Sequence, residues 1–219
     1  MNCRPKDFQS PTLPTELSGQ WVILNLDFTF CQGVWMKFYI KALLFDVDGT
    51  ILHWNQTSSV FSKILYNPKA FVDIIQDMQK MERKRGQRFP NDKNYKNREA
   101  QELQILDTNQ INLKTKKLIL QTSKKNTPMG IVSDNRSIEK LKQIKLHHFF
   151  SVIINCRETG NLKPSPEGLL RASSQLGVLP NQVLYIGDRN RVDDRACFEI
   201  GMHFLHIENI DRLECEMIP

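Results

Sequence analysis

Several things that would define other classes of protein are missing from this chain. It has only five cysteines in 219 residues. Cys3, Cys31, Cys156, Cys197 and Cys215 are odd in number, widely scattered and form no C-x-x-C pair. A disulfide framework and a thiolate zinc cage are therefore not expected, and a reducing, cytoplasmic compartment is. Glycine and proline number ten each, too few for a collagenous or low-complexity chain. No uninterrupted apolar run is long enough to span a bilayer, so no membrane partner is expected. The sequence has no internal repeat, no basic leader feeding an unbroken apolar core, and no arginine-rich, acid-poor transit segment.

Positive charge is present in modest excess. Lys plus Arg is 30 against 24 for Asp plus Glu, a net charge of +6. That balance suits an anionic partner without saying which kind. The segment 80–98 carries Lys80, Arg83, Lys84, Arg85, Arg88, Lys93, Lys96 and Arg98 against Glu82 and Asp92. Charge runs of this kind usually face solvent, which is the favoured reading here. A nucleic-acid partner is not expected, because only Phe89 and Tyr95 interleave the charges.

The first 35 residues lack a regular period and read as a poorly structured extension before a natural domain start at Met36. An edge strand over Trp21 to Phe30 is the alternative. Residues 40–45 read as a short buried strand. Asn67-Pro68 opens a helix with Asn as N-cap and Pro in the first turn. Phe71, Ile74, Ile75, Met78 and Met81 mark its apolar face. Helical patterns also run over 97–106 and 113–123. From Pro128 onward strand and helix alternate. Strands are expected over 129–133, 150–155, 182–187 and 202–207, and helices over 137–144, 165–176 and 193–200. This pattern predicts an α/β fold, a Rossmann-like doubly wound parallel sheet with helices on both faces.

In such a sheet, ligands bind beyond the carboxyl ends of the strands. The first strand ends in Asp46-Val47-Asp48-Gly49-Thr50 and the second in Ser133-Asp134-Asn135. Lys163 precedes the Ser165-Pro166 helix start. The fourth strand ends Gly187-Asp188, with Asp193 and Asp194 shortly after. All of these are expected in one crevice. Asp46, Asp48, Asp188 and Asp193 would repel one another or hold protons unless a cation sits among them. An all-oxygen set suits Mg²⁺. Lys163, Ser133 and backbone N–H groups complete a place for a phosphate, and one carboxylate can attack phosphorus while its neighbour serves the leaving oxygen. Each residue also has a plainer role open to it. Ser133 could cap a helix, Lys163 could be a solvated lysine, Asp193 an N-cap and Asp194 a first-turn acid, while His53 is left out as a flap residue.

These motifs resemble the haloacid dehalogenase superfamily, in its order, over roughly residues 38–207. Asp46-Val47-Asp48-Gly49-Thr50 is similar to its first motif, Ser133 to its second, Lys163 to its third, and Gly187-Asp188 with Asp193 to its fourth. The resemblance implies a nucleophile at Asp46 and a general acid/base at Asp48. It implies Mg²⁺ held by the Asp46 and Asp188 carboxylates and the Asp48 carbonyl, with Asp193 supporting its water shell. It implies a phosphate site from Thr50, Ser133, Asn135 and Lys163. Asp48 argues for the phosphatase branch, hence a Mg²⁺-dependent phosphatase acting on a small phosphorylated substrate. The rivals are a phosphomutase of the same superfamily and a non-catalytic binding or regulatory protein on the same fold. The division expected is a catalytic core over 36–52 and 127–219 with a small α-helical cap over 53–126, inserted after the first strand and shorter than the full cap of larger relatives.

Overall fold

A computed structural model describes residues 24–27, 37–53, 68–85, 88, 100, 102–103, 106, 108–211 and 213. The expected Asn67 cap, the side chains of Phe71 and Ile74, and most of the expected 97–106 helix lie outside the described residues, although Ala100, Glu102 and Leu103 are helical.

The centre of the molecule is the predicted parallel sheet. Its five strands run in the order β5-β4-β3-β6-β7. They are β3 (Ala42–Phe45), β4 (Met129–Ser133), β5 (Val152–Asn155), β6 (Val183–Gly187) and β7 (His203–His206). β3 pairs in parallel with both β4 and β6. The chain winds outward from β3 to β5, then returns to add β6 and β7 on the other side. The reversal lies between β3 and β6, which opens a crevice at their carboxyl ends.

Side-chain alternation along β3 divides the core into two layers. Leu43 and Phe45 face one side, with Met129, Ile131, Leu184 and Ile186. Ala42 and Leu44 face the other, with Val132, Val183 and Tyr185. We label the helices α1 (Pro68–Lys84), α2 (Leu113–Lys124), α3 (Ile138–Gln143), α4 (Cys156–Thr159), α5 (Glu167–Gln175) and α6 (Arg195–Glu199). α2 and α3 cover the first face through Leu118, Ile119 and Leu141. α5 and α6 cover the second through Leu169, Ala172, Ala196 and Cys197. Both faces of the strands are therefore buried, which is why they read as continuous apolar runs rather than alternating ones.

The structure refines several sequence expectations. The strand expected over 40–45 is broken at Lys41. Its first part belongs to β2 (Lys37–Ile40), which pairs antiparallel with β1 (Leu24–Asp27) in a separate two-stranded sheet. So a strand occurs over Leu24–Asp27, within the stretch where an edge strand was the alternative, and it lies outside the main sheet. α2 lies within the stretch expected as an insert, yet Asn112 caps it through its side-chain oxygen and it shares the core of the sheet. Helix α1 keeps only part of its expected apolar face. Met81 is buried, but Ile75 and Met78 are exposed. The helix expected over 193–200 opens as a π-turn over Asn190–Asp194 before α6 begins, an irregularity that recurs where a helix end must aim side chains into a site.

Candidate active site

The ends of β3, β4 and β6 and the loop before α5 bring the motif residues together. Lys163 lies at the centre. Its side chain is fully buried, with Nζ 3.2 Å from Asp46 Oδ1 and 2.7 Å from Asp193 Oδ1. The same ammonium donates to the Tyr185 hydroxyl at 2.8 Å, and that hydroxyl donates onward to the Val132 carbonyl at 2.9 Å. A buried ammonium is tolerated only when paired and hydrogen-bonded. Burial disfavours the charge, but Asp193, Asp46 and Asp134 outweigh it and hold the lysine protonated well above its ordinary range.

Asp46, Asp188 and Asp193 each offer a carboxylate oxygen, and these oxygens lie within 4.8 Å of one another. Two glycines make the approach possible. Gly49 has φ +93°, and a Cβ there would lie 2.1 Å from Asp188 Oδ2. A Cβ on Gly187 would lie 2.6 Å from Asp193 Oδ2. Asp193 is wholly buried and also accepts from the Arg189 backbone N–H at 3.1 Å. It is thus tied to Lys163 and its own turn, and does not stand at the start of α6. The Asp188 backbone carbonyl is 2.8 Å from His206 Nε2.

Electrostatics here favour a cation. Burial pushes the Asp46 carboxyl up to about 7; Lys163 pulls it down, and Asp193 and Asp188 push it up. Burial likewise raises Asp188, with Arg189 opposing and Asp193 adding to the rise. Asp188 Oδ1 is buried and makes no hydrogen bond. Three crowded carboxylates, one with an orphaned oxygen and two with a raised proton affinity, fit a hard divalent cation of the Mg²⁺ kind.

Asp48 occupies a different setting. Its side chain is 21% exposed. Lys140 Nζ reaches Oδ1 at 2.8 Å and Oδ2 at 3.0 Å, and Asn135 Nδ2 donates to Oδ2 at 3.0 Å. The Asn135 amide, for which the resemblance implied a phosphate contact, thus donates to a carboxylate here. Thr50 is buried, its carbonyl accepts from the Thr115 hydroxyl at 2.9 Å, and its own Oγ1 makes no hydrogen bond. Ser133 is buried at the end of β4, its Oγ accepting from the Asn135 N–H at 3.4 Å.

Several members of this site had no role assigned from the sequence. Asp134 accepts from the Lys163 N–H at 2.9 Å, from Arg85 at 2.8 Å and from Arg189 at 3.2 Å. Burial would raise it, but Lys163, Arg85 and Arg189 hold it below the ordinary carboxylate range. Its place beside Ser133 at a strand end was the available signal. Arg85 comes from the basic segment expected to face solvent. It turns inward instead, with its side chain 11% exposed, and donates to the Lys163 carbonyl at 2.6 Å. Arg83, Lys84 and Arg88 are exposed as expected, and residues 89–98 lie outside the described residues. α1 is also tied to the core by an ion pair from Asp77 to Arg157. Nothing in the sequence distinguishes Lys140 from Lys142, the other lysine of α3, or Tyr185 from an ordinary core aromatic.

The chain belongs to the haloacid dehalogenase-like hydrolase family, whose model matches residues 43–207. Over 87 residues it is 32% identical to a glyceraldehyde 3-phosphate phosphatase of Methanopyrus kandleri, a stretch covering 38% of this chain and 37% of that protein. Over 61 residues it is 42% identical to a phosphoglycolate phosphatase of Salmonella typhimurium, covering 28% of this chain and 24% of the relative. The matches therefore span well under half the length of these relatives. Among solved structures, a HAD phosphatase from Thermococcus onnurineus superposes with a TM-score of 0.56 at 22% identity, over 75% of this chain and 85% of that one. A β-phosphoglucomutase from Clostridium difficile superposes with a TM-score of 0.55 at 18% identity, over 79% and 88%. At these identities the likeness is one of fold.

Proposed function

We propose that this chain is a Mg²⁺-dependent phosphatase that hydrolyses a small phosphomonoester through a phosphoryl group carried on Asp46. The observation that carries the reading is the fully buried Lys163 ammonium held between Asp46 and Asp193, with Asp188 adjoining and Asp48 at the rim. Curated relatives that are phosphatases of small phosphorylated metabolites support it.

The ion would be held by the Asp46 and Asp188 carboxylates and the Asp48 carbonyl, with Asp193 ordering its waters. When bound, it supplies positive charge to the phosphate's oxygens and keeps Asp46 ionised at neutral pH. Lys163 and Ser133 bind the phosphate, and the buried Thr50 hydroxyl, which makes no hydrogen bond within the described residues, is available to it. An Asp46 carboxylate oxygen attacks phosphorus and the ester P–O bond breaks in line. The leaving oxygen takes the proton of Asp48. A water then attacks the phosphorus of the aspartyl-phosphate, giving its proton to Asp48. The acyl P–O bond breaks, restoring the Asp46 carboxylate and releasing inorganic phosphate. Phosphoryl transfer of this kind asks the protein mainly for positioning and charge.

We also place the remainder of 53–126, apart from α2, as a small cap over the crevice. The inward Arg85 and the Asp77–Arg157 pair support this reading. The buried free thiols Cys156 and Cys197 suit a cytoplasmic protein. Among the described residues, no helix is long and apolar enough to cross a membrane.

The test is a panel of phosphorylated metabolites with and without Mg²⁺, reading inorganic phosphate. Release that needs Mg²⁺, with phosphate trapped on Asp46 after rapid quench, is expected. Full turnover in chelator overturns the reading. Isomerised sugar phosphate without net release identifies a mutase instead.

A further inference from the structure

Lys140 is not used by the chemistry above, yet it is among the most deeply placed charges in the molecule. Its side chain is 1% exposed. Its ammonium contacts both oxygens of Asp48, at 2.8 and 3.0 Å, and Glu102 Oε2 at 2.8 Å. Glu102 is itself buried, and it belongs to the stretch between β3 and β4 that carries the insert. A dry lysine shared by two carboxylates is costly to build, and apolar packing would fill the same space with less desolvation.

We propose that Lys140 is a positioning residue for Asp48, and that Glu102 shares its ammonium so that the Asp48 carboxyl is aimed from the insert side of the crevice. This rests on the phosphatase reading and deepens it. Asp48 has to serve two oxygens in turn, that of the leaving group and that of the attacking water. A freely rotating carboxyl would spend much of its time away from both. Lys140 contacts both carboxyl oxygens and Asn135 donates to one of them, so the side-chain torsions are fixed. Glu102 draws on the same ammonium, so the grip on Asp48 is shared. Misplacement of a catalytic group by about 1 Å costs on the order of 10²-fold in rate, so a residue that only aims Asp48 can still carry a large kinetic effect.

The test uses the full chain with Mg²⁺ and two substrates, p-nitrophenyl phosphate and an alkyl phosphate such as glycerol phosphate. The aryl leaving group needs little protonation and the alkyl one needs much. Lys140→Met is expected to lower kcat for the alkyl ester by roughly 10²-fold, the aryl ester by less than about 10-fold, and to leave KM within about 3-fold. In an Asp48→Asn background the same substitution should change kcat by less than about 3-fold, because its effect passes through Asp48. Glu102→Gln keeps the shape and an acceptor oxygen. It should shift the alkyl-to-aryl ratio in the same direction by about 3- to 10-fold, and it serves if Lys140→Met does not fold. Equal loss on both substrates, or full additivity with Asp48→Asn, overturns the positioning role while leaving the phosphatase reading standing. Absence of Mg²⁺-dependent phosphate release by the unmodified chain overturns both.

Discussion

Asp46 and Asp48 are the same residue type, two positions apart at the end of one strand, and they occupy opposite environments. The Asp46 side chain is 3% exposed and crowded by Asp188, Asp193 and Lys163. Asp48 is 21% exposed and faces Lys140 and Asn135. The first setting raises a carboxyl's affinity for protons and, equally, for a cation. The second offers hydrogen-bond donors and an opening to solvent. The division of labour proposed for these two identical acids would thus come from what the rest of the fold places around them. A nucleophile needs a fixed, dry location beside positive charge, whereas an acid/base needs access to the leaving group and to water.

The sharpest way to break this contrast is to neutralise each aspartate in turn. On the proposed mechanism, Asp46→Asn removes the attacking oxygen and a metal ligand together. Turnover is expected to fall by roughly 10³-fold or more, with no phosphoenzyme by rapid-quench mass spectrometry. Asp48→Asn leaves attack possible on an aryl phosphate but hinders water, so phosphoenzyme should accumulate. Identical behaviour of the two variants on every substrate would erase the proposed difference.

A smaller effect is expected at Gly49. In Gly49→Ala the backbone must keep φ +93° and the new Cβ would meet Asp188 Oδ2 at 2.1 Å. Asp188 is expected to be displaced. The Mg²⁺ concentration for half-maximal activity should rise by about 10- to 100-fold, measured by metal titration. An unchanged Mg²⁺ requirement would show that Asp188 is not a ligand.

Proton linkage provides a third test. Asp46 ionises at about 7 in the metal-free fold, against an ordinary value of 3.8. The fold therefore retains a proton that the unfolded chain releases, and this contribution to stability is lost as pH rises from near 3.8 through about 7. The melting temperature of the metal-free protein should fall across that window. The isosteric Asp46→Asn, which cannot ionise, should fall less, and saturating Mg²⁺ should restore the wild type at neutral pH. A parallel pH dependence of the two metal-free proteins would show that Asp46 is not the group responsible.

Tyr185→Phe is expected to have the smallest effect. It removes one acceptor from Lys163 and the donor to the Val132 carbonyl, but leaves Asp46 and Asp193 on the ammonium. A loss of about 1–3 kcal/mol in stability and less than about 10-fold in kcat is expected, by denaturant melts and steady-state rates. A kcat loss matching that of Asp46→Asn would mean that Tyr185 does more than hold Lys163.

Legibility in the sequence followed locality. The strands ending in Asp46, Ser133 and Asp188 could be read because each is a short apolar run stopped by a polar residue, and β3, β4 and β6 are buried on both faces. The break at Lys41 could not. Residues 37–45 are one apolar-rich stretch, and only pairing with Leu24–Asp27 on one side and with β4 and β6 on the other divides it. The inward turn of Arg85 was hidden for the same reason, since a charge run shows no preference for solvent or crevice until an oppositely charged group such as Asp134 is placed beside it.

The sequence by itself determined the sheet, its parallel sense and the motif residues at its carboxyl edge. Hydrophobic period and chain order are local properties, and right-handed crossovers leave few ways to arrange them. Tertiary structure alone decided which charges face one another. Lys163 pairs with Asp46 117 positions before it and with Asp193 30 positions after it, and Lys140 lies between Asp48 and Glu102. Coulomb energy depends on distance and burial rather than on separation along the chain, so residue types could nominate these groups and only the fold could pair them.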